Sequence, residues 1–191
     1  RIGKLMLRRI QNHLESIYRI RAPDVRRFQI DANQLAEVTG SSLRRADEWV
    51  LVRQEGDHID LAVFVAEAHI EALETIGSLK EAAVAAFPAF CAATEGVSHF
   101  LMLFERARRS EPVSLLELEA QAEVDKYVSA RLHHPDHSAA VWHRLFSDAE
   151  LSHNLSPEEK IRYREAGRLA AGFCAELDGF SNVDHVLRTL R

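Results

Sequence analysis

Along this chain one stretch breaks the three-to-four-residue rhythm of apolar helix faces. Between residues 49 and 65 the pattern shortens to two: Ile59, Leu61 and Val63 alternate with Asp60, Ala62 and Phe64, the period of a strand. The runs EWVLVRQ and HIDLAVFVA flank Gln54-Glu55-Gly56-Asp57, a loop in which glycine supplies the positive φ a tight turn needs. The pattern predicts a β-hairpin of strands 49–53 and 58–65. A two-stranded ribbon is marginal alone, so this one must lie on helices, which constrains the chain to a mainly α fold, α+β in the strict sense.

The rest reads as helix. In residues 5–20, Leu7, Ile10, Leu14, Ile17 and Tyr18 fall on one face, and Pro23 stops the segment. Residues 31–47 are ambiguous, with a short helix over 32–38 ending at Gly40. Helices follow over 67–76, closed by Gly77, and over 79–86, and Pro88 starts or kinks a longer one over 88–108. Ser114-Leu-Leu-Glu117 and Ser156-Pro157-Glu158-Glu159 are capping boxes. They open helices to about 132 and 177, with a helix over 139–146 between them. VDHVLRTLR keeps helical spacing to Arg191, so the native chain is expected to continue. The expectation is one domain over 1–191: an N-terminal helix and hairpin region (1–77) and a helical core (78–191), bundled around the central helix 88–108.

Composition narrows the classes. The 191 residues carry 24 Lys and Arg against 29 Asp and Glu, a net charge of −5, which disfavours broad capture of nucleic acid. Cys91 and Cys174 lie in apolar helical contexts, FPAFCAA and AAGFCAE, and are expected as buried thiols. RIGKLMLRRIQ lacks the apolar core and cleavage site of a secretory leader. No uninterrupted apolar run approaches the ~18 residues that span a bilayer. A cytoplasmic protein without a membrane partner is expected.

The informative polar residues lie in the most apolar helix. Glu95 and His99 are one turn apart on one face of 88–108, with Gly96 between them. Glycine costs about 1 kcal/mol relative to Ala in a helix, so close backbone approach explains it better than helix stability. The next helix, LELEAQAEVDKYV, places Glu119 and Glu123 on one face and Gln121 and Asp125 on another. A short turn at Pro112 makes the two helices antiparallel neighbours. Buried acids and imidazoles need partners. The residues predict either a hydrogen-bond network, His99 with Glu119 or Glu123 and Glu95 with an Arg or Lys, or a divalent ion held by Glu95, His99 and Glu123 (or Glu119). The Glu-x-x-His spacing of dinuclear carboxylate proteins does not occur in these two helices.

A hairpin followed by two such helices resembles the small gluzincin-type zinc peptidases. Glu95-Gly96-Val97-Ser98-His99 matches their first motif in spacing, and Gln121-Ala122-Glu123-Val124-Asp125-Lys126-Tyr127 looks like the second. The resemblance covers positions 49–130. It implies a zinc site with Glu95, His99 and Gln121 at the ligand places. It also puts Gly96 where the general-base glutamate belongs, and such peptidases need that carboxylate to activate the metal-bound water. The resemblance therefore implies an inactive relative.

His133-His134-Pro135-Asp136-His137, with His143 and His153, fits no zinc spacing and reads as a helix end. Arg8, Arg9, Arg19, Arg21, Arg26 and Arg27 make the N-terminal region locally basic, with smaller groups at Arg44 and Arg45 and at Arg106, Arg108 and Arg109. No phosphate-binding glycine loop or nucleophile elbow is present. The expected function is non-catalytic: binding of a protein or small ligand, without a cofactor, with Glu95, His99, Glu119, Gln121, Glu123 and Asp125 lining the site or forming the network. The alternatives are a metal-dependent hydrolase with unconventional Glu/His ligands, holding a divalent metal such as zinc, and a nucleic-acid-associated regulator. A homodimer is expected from the apolar helical surface.

Overall fold

A computed structural model describes residues 2–40, 47–56, 58–148, 155–179 and 183–190. Arg44, Arg45, Asp57 and His153 lie outside the described residues. Those described form nine α-helices and one antiparallel hairpin, so the fold is mainly α with a small β element. In chain order these are α1 (Ile2–Tyr18), α2 (Ala32–Thr39), β1 (Glu48–Glu55), β2 (His58–Val65), α3 (Glu67–Glu74), α4 (Leu79–Ala85) and α5 (Phe87–Arg108). Then come α6 (Leu115–His133), α7 (Ser138–Trp142), α8 (Pro157–Asp178) and α9 (Val183–Leu190).

α5 is the centre. It packs against α1, α3, α4, α6 and both strands, and α8 covers the other side of α6. Phe90, Ala93, Val97 and Phe100 are buried in it. By length and composition this helix could also cross a membrane, because its charged residues other than Glu95 are gathered at its C-terminal end, Glu105, Arg106 and Arg108. Two-thirds of its apolar window is buried inside the fold, as in a core helix. Leu7, Ile10, Leu14 and Ile17 bury the expected face of α1. Gln11 and Glu15 on the same helix anchor the following turn, Gln11 accepting from the Val25 N–H at 2.8 Å and Glu15 from the Ala22 N–H at 3.0 Å.

Both capping boxes form, with Ser114 and Ser156 accepting from the third helical N–H and Glu117 and Glu159 reaching back. α3 ends at Glu74 with Thr75 as its cap, short of the expected 76 and Gly77, and three further boundaries differ from the sequence expectation. α1 ends at Tyr18 because Arg19 turns to a φ of 56°. The 139–146 segment is α-helical only to Trp142 and then widens into a π turn, His143–Ser147. β1 is longer than 49–53 at both ends: Gly56, at a φ of 60°, allows a turn tight enough for Glu55 to pair with His58 and Gln54 with Ile59. At the other end Glu48 pairs with Val65. On its free edge β2 is held by the segment before α2, Ile30 N–H donating to Val63 O at 2.9 Å and Val63 N–H to Phe28 O at 2.8 Å.

Candidate metal centre and the neighbouring cleft

Directly paired residues of an antiparallel ribbon share a face, so Glu48, Val50, Val63 and Val65 point the same way. That face lies on α5 at Gly96. A Cβ there would meet Val63 Cγ1 at 3.4 Å and Glu48 Oε2 and Val65 Cγ2 at 3.5 Å. These are ordinary van der Waals distances, so a Cβ would fit and the close backbone approach expected at Gly96 is not what the glycine provides. The packing of this strand face on α5 is what brings Glu48 to the polar face of the helix.

His99 is at the middle of the site and 6% exposed. Its Nδ1 lies 3.7 Å from Glu48 Oε2, and its Nε2 lies 3.7 Å from Glu119 Oε2 on α6. Both separations exceed an N–H···O hydrogen bond. His99 Nε2 and Glu48 Oε2 are buried without a hydrogen-bond partner, and so is Arg162 Nε from α8, which faces Glu119 Oε1 at 3.8 Å. One turn along α5, Glu95 accepts from Lys126 Nζ at 3.0 Å, and Lys126 also donates to Glu123 at 2.6 Å.

The charges explain how the groups titrate. Burial pulls the His99 imidazole down, but Glu48, then Glu95 and Glu119, outweigh it and lift the ring to about 9. Burial pushes the Glu119 carboxyl up to about 7, against the opposing pull of His99. Burial likewise raises Glu48 and Glu123. At Glu95 burial acts upward too, but Lys126 and His99 overcome it and hold the carboxyl below its usual range. The Lys126 ammonium, despite full burial, is held well above its ordinary value by Glu95 and Glu123.

Among the described residues, Glu95, His99 and Glu119 bring one ligand atom each within 4.8 Å of one another. Atoms bound at about 2.0–2.2 Å to one zinc ion lie closer together than that, so binding would draw the side chains in by about an ångström. Glu95 takes a lysine as its partner, as the expected network has it, whereas His99 lies beside Glu119 without a hydrogen bond. Two of the residues expected as ligands are placed away from this grouping. Glu123, expected with Glu95 and His99 in the metal set, is taken up by Lys126, and Glu119 stands in its place. Gln121, at the third ligand place of the peptidase resemblance, faces the other side of α6.

There Gln121 donates to Asp125 Oδ1 at 2.9 Å and to Tyr18 Oη at 2.8 Å. Tyr18 donates in turn to Asp125, and Ser98 Oγ donates to Asp125 Oδ2 at 2.6 Å. Burial raises the Asp125 carboxyl to about 6, with the Ser98, Tyr18 and Gln121 donors opposing. This second network floors a cleft of about 390 Å³ between α1, α5, α6 and α9. The six residues singled out from sequence thus divide between two faces of the α5–α6 pair.

Glu48, Arg162, Ser98 and Tyr18 are missing from the sequence-based set. Glu48 had a signal: it is in phase with Val50 and Val52, so a charged residue occupies an inward position of the strand. Arg162 had none. The histidine tract is a helix end: His134 closes α6, and its ring bonds Lys80 O at 2.7 Å. His133 stacks on His13, ring centres 5.0 Å apart. Neither cysteine is in a disulfide.

No protein-family model matches the chain, and no curated protein and no solved structure matches it either.

Proposed function

We propose that this chain is a non-catalytic binding protein whose ligand is a divalent cation, with Glu95, His99 and Glu119 as ligands and Glu48 beside the imidazole as its orienting carboxylate. The observation that carries the reading is His99 Nε2, buried, without a hydrogen bond and facing Glu119 Oε2 at 3.7 Å. An unsatisfied buried nitrogen costs about 1–3 kcal/mol, and a cation between it and Glu119 removes that cost. Charge supports the same reading. With His99 protonated, as its shift to about 9 implies at neutral pH, the carboxylates of Glu48, Glu95, Glu119 and Glu123 meet the imidazolium, the ammonium of Lys126 and the guanidinium of Arg162. One negative charge remains in a largely dry site, where uncompensated charge is costly, and a divalent cation would take the place of the imidazole proton.

Imidazole with carboxylates suits zinc, iron or manganese. When bound, the metal would supply charge neutralisation and cross-linking of α5 to α6. A carboxylate behind a ligating imidazole fixes the ring and raises its basicity, the place Glu48 occupies. The non-catalytic part of the reading rests on Gly96, which offers no general base, and on Val63 and Val65, which fill the space beside it.

Elemental analysis of untagged protein tests this. About one equivalent of zinc, iron or manganese is expected, lost in His99→Ala and Glu119→Gln and retained in Glu123→Gln. Protein that is isolated metal-free and takes up none of the three on dialysis overturns the reading. Peptide hydrolysis that tracks metal content and disappears in His99→Ala overturns its non-catalytic part.

A further inference from the structure

The cleft on the far side of α6 has a polar floor and apolar walls. Ile20, Leu101, Met102 and Leu190 line its sides, and Tyr18 and Asp125 lie at its base. At about 390 Å³ it falls in the ~300–1,000 Å³ range of small-molecule pockets.

Asp125 is the unusual member. It is 3% exposed, yet its three hydrogen bonds come from neutral donors, the hydroxyls of Tyr18 and Ser98 and the amide of Gln121. The arginines on the cleft wall are engaged elsewhere: Arg106 with Glu111 at 3.1 Å and Glu117 at 3.5 Å, and Arg109 with Glu105 at 2.7 Å. Among the charged residues lining the cleft, Glu105, Glu111 and Asp125 outnumber Arg106 and Arg109 by one. That surplus negative charge is the one at the floor. A carboxylate offers about four acceptor positions, and the three neutral donors leave room for one more. A buried carboxylate without a cation is expensive, whereas one that receives a ligand's ammonium forms a charge-assisted hydrogen bond in a low-dielectric setting.

We infer that this cleft is a second binding site, independent of the metal centre, for a small primary amine, its ammonium donating to Asp125 and its hydrocarbon part lying against Ile20, Leu101 and Met102. The three neutral donors hold the carboxylate in place, so the charge is pre-oriented before the ligand arrives. The acid–arginine pairs at the rim leave the mouth nearly neutral, which admits a cation without strongly favouring other ions. The apolar walls select for a tail of several carbons over free ammonium or a metal ion.

Calorimetric titration with n-hexylamine, and with 1-hexanol as the uncharged control of the same shape, tests the inference. One saturable site is expected for the amine, with the alcohol at least ten-fold weaker. Asp125→Asn keeps the volume and most hydrogen bonds, and should bring the amine down to the level of the alcohol while metal content is unchanged. Met102→Trp fills the cleft without touching Asp125 and should abolish binding of both compounds, which keeps the test decisive if the Asp125 variant does not fold. Equal affinity for the two compounds, no saturable amine binding, or amine binding that survives either folded variant would overturn it.

Discussion

Glu48 Oε2 lies 3.7 Å from His99 Nδ1, a contact that joins the first residue of β1 to the middle of α5. It is the point where the hairpin stops being a passive cover and contributes to the polar centre. Behind a ligating imidazole, a carboxylate contributes about 10–100-fold in metal affinity. Glu48→Gln preserves shape and removes the charge, so affinity should fall by that factor with little change in helical content. Competition against a chromogenic chelator measures the affinity, and an unchanged value would remove Glu48 from the centre.

Gly96 separates two kinds of substitution. A Cβ there makes ordinary contacts at 3.4–3.5 Å with Val63, Val65 and Glu48, so Gly96→Ala fits. It should be neutral or stabilising by up to about 1 kcal/mol through helix propensity. Gly96→Glu puts a carboxylate beside Glu95 but must push its side chain into the hairpin face. It should destabilise by about 1–3 kcal/mol, the usual range for overpacking. Denaturant unfolding of both variants tests the pair, and a Gly96→Glu protein as stable as the parent would mean the hairpin is not seated on this residue.

Lys126 is the internal counter-ion of the centre, its Nζ 3.0 Å from Glu95 and 2.6 Å from Glu123. Removing one member of a buried ion pair leaves the others uncompensated and costs about 3–5 kcal/mol. Lys126→Met is expected to lose that much in chemical denaturation. Adding Glu123→Gln should recover part of it, because contacting residues are not additive. A loss below about 1 kcal/mol for Lys126→Met would show that water reaches the ammonium.

His13 offers a pH dependence separate from the proposed metal centre. Burial, and then the neighbouring His133 ring, lower its pKa from 6.5 to about 4. The unfolded chain therefore binds this proton more tightly. The His13 contribution is complete above pH 6.5 and is lost as pH falls toward 4. Glu119 and Asp125, raised to about 7 and about 6, and Glu48 and Glu123, raised as well, act in the opposite sense over part of that window, so the bare stability curve mixes their contributions with that of His13. The difference between the parent and His13→Phe isolates the histidine. Measured with EDTA present, that difference should be level above pH 6.5 and change steeply between 6.5 and 4. A difference that stays level across that range would show that His13 is not buried neutral.

Much of the architecture was legible because it depends on local rules. The two capping boxes mark the starts of α6 and α8, since each is closed within four residues. The period-2 run identified the hairpin, and Glu95 and His99 share a face because the helical repeat requires it. The π turn after α7 and the exact ends of β1 were not legible. The first depends on how α7 packs against α6 and α8. The second depends on a turn tight enough to pair Gln54 and Glu55, which the sequence left as loop.

Periodicity says which side of a helix a residue occupies but not its height against a neighbour. Glu119 and Glu123 share a face of α6 about one turn apart, about 6 Å along the axis. Sequence therefore allowed either of them to meet the acid–histidine face of α5, or neither if the Gln121–Asp125 face turned toward it. Which one did so was decided by the axial offset of the two packed helices, set by Phe90, Val97, Phe100 and the side chains around them. That offset put Glu119 at His99 and left Glu123 to Lys126. The same holds more strongly for Glu48 and Arg162, which reach the centre from elements distant in the chain. Their positions follow from long-range packing, and local spacing carries no information about it.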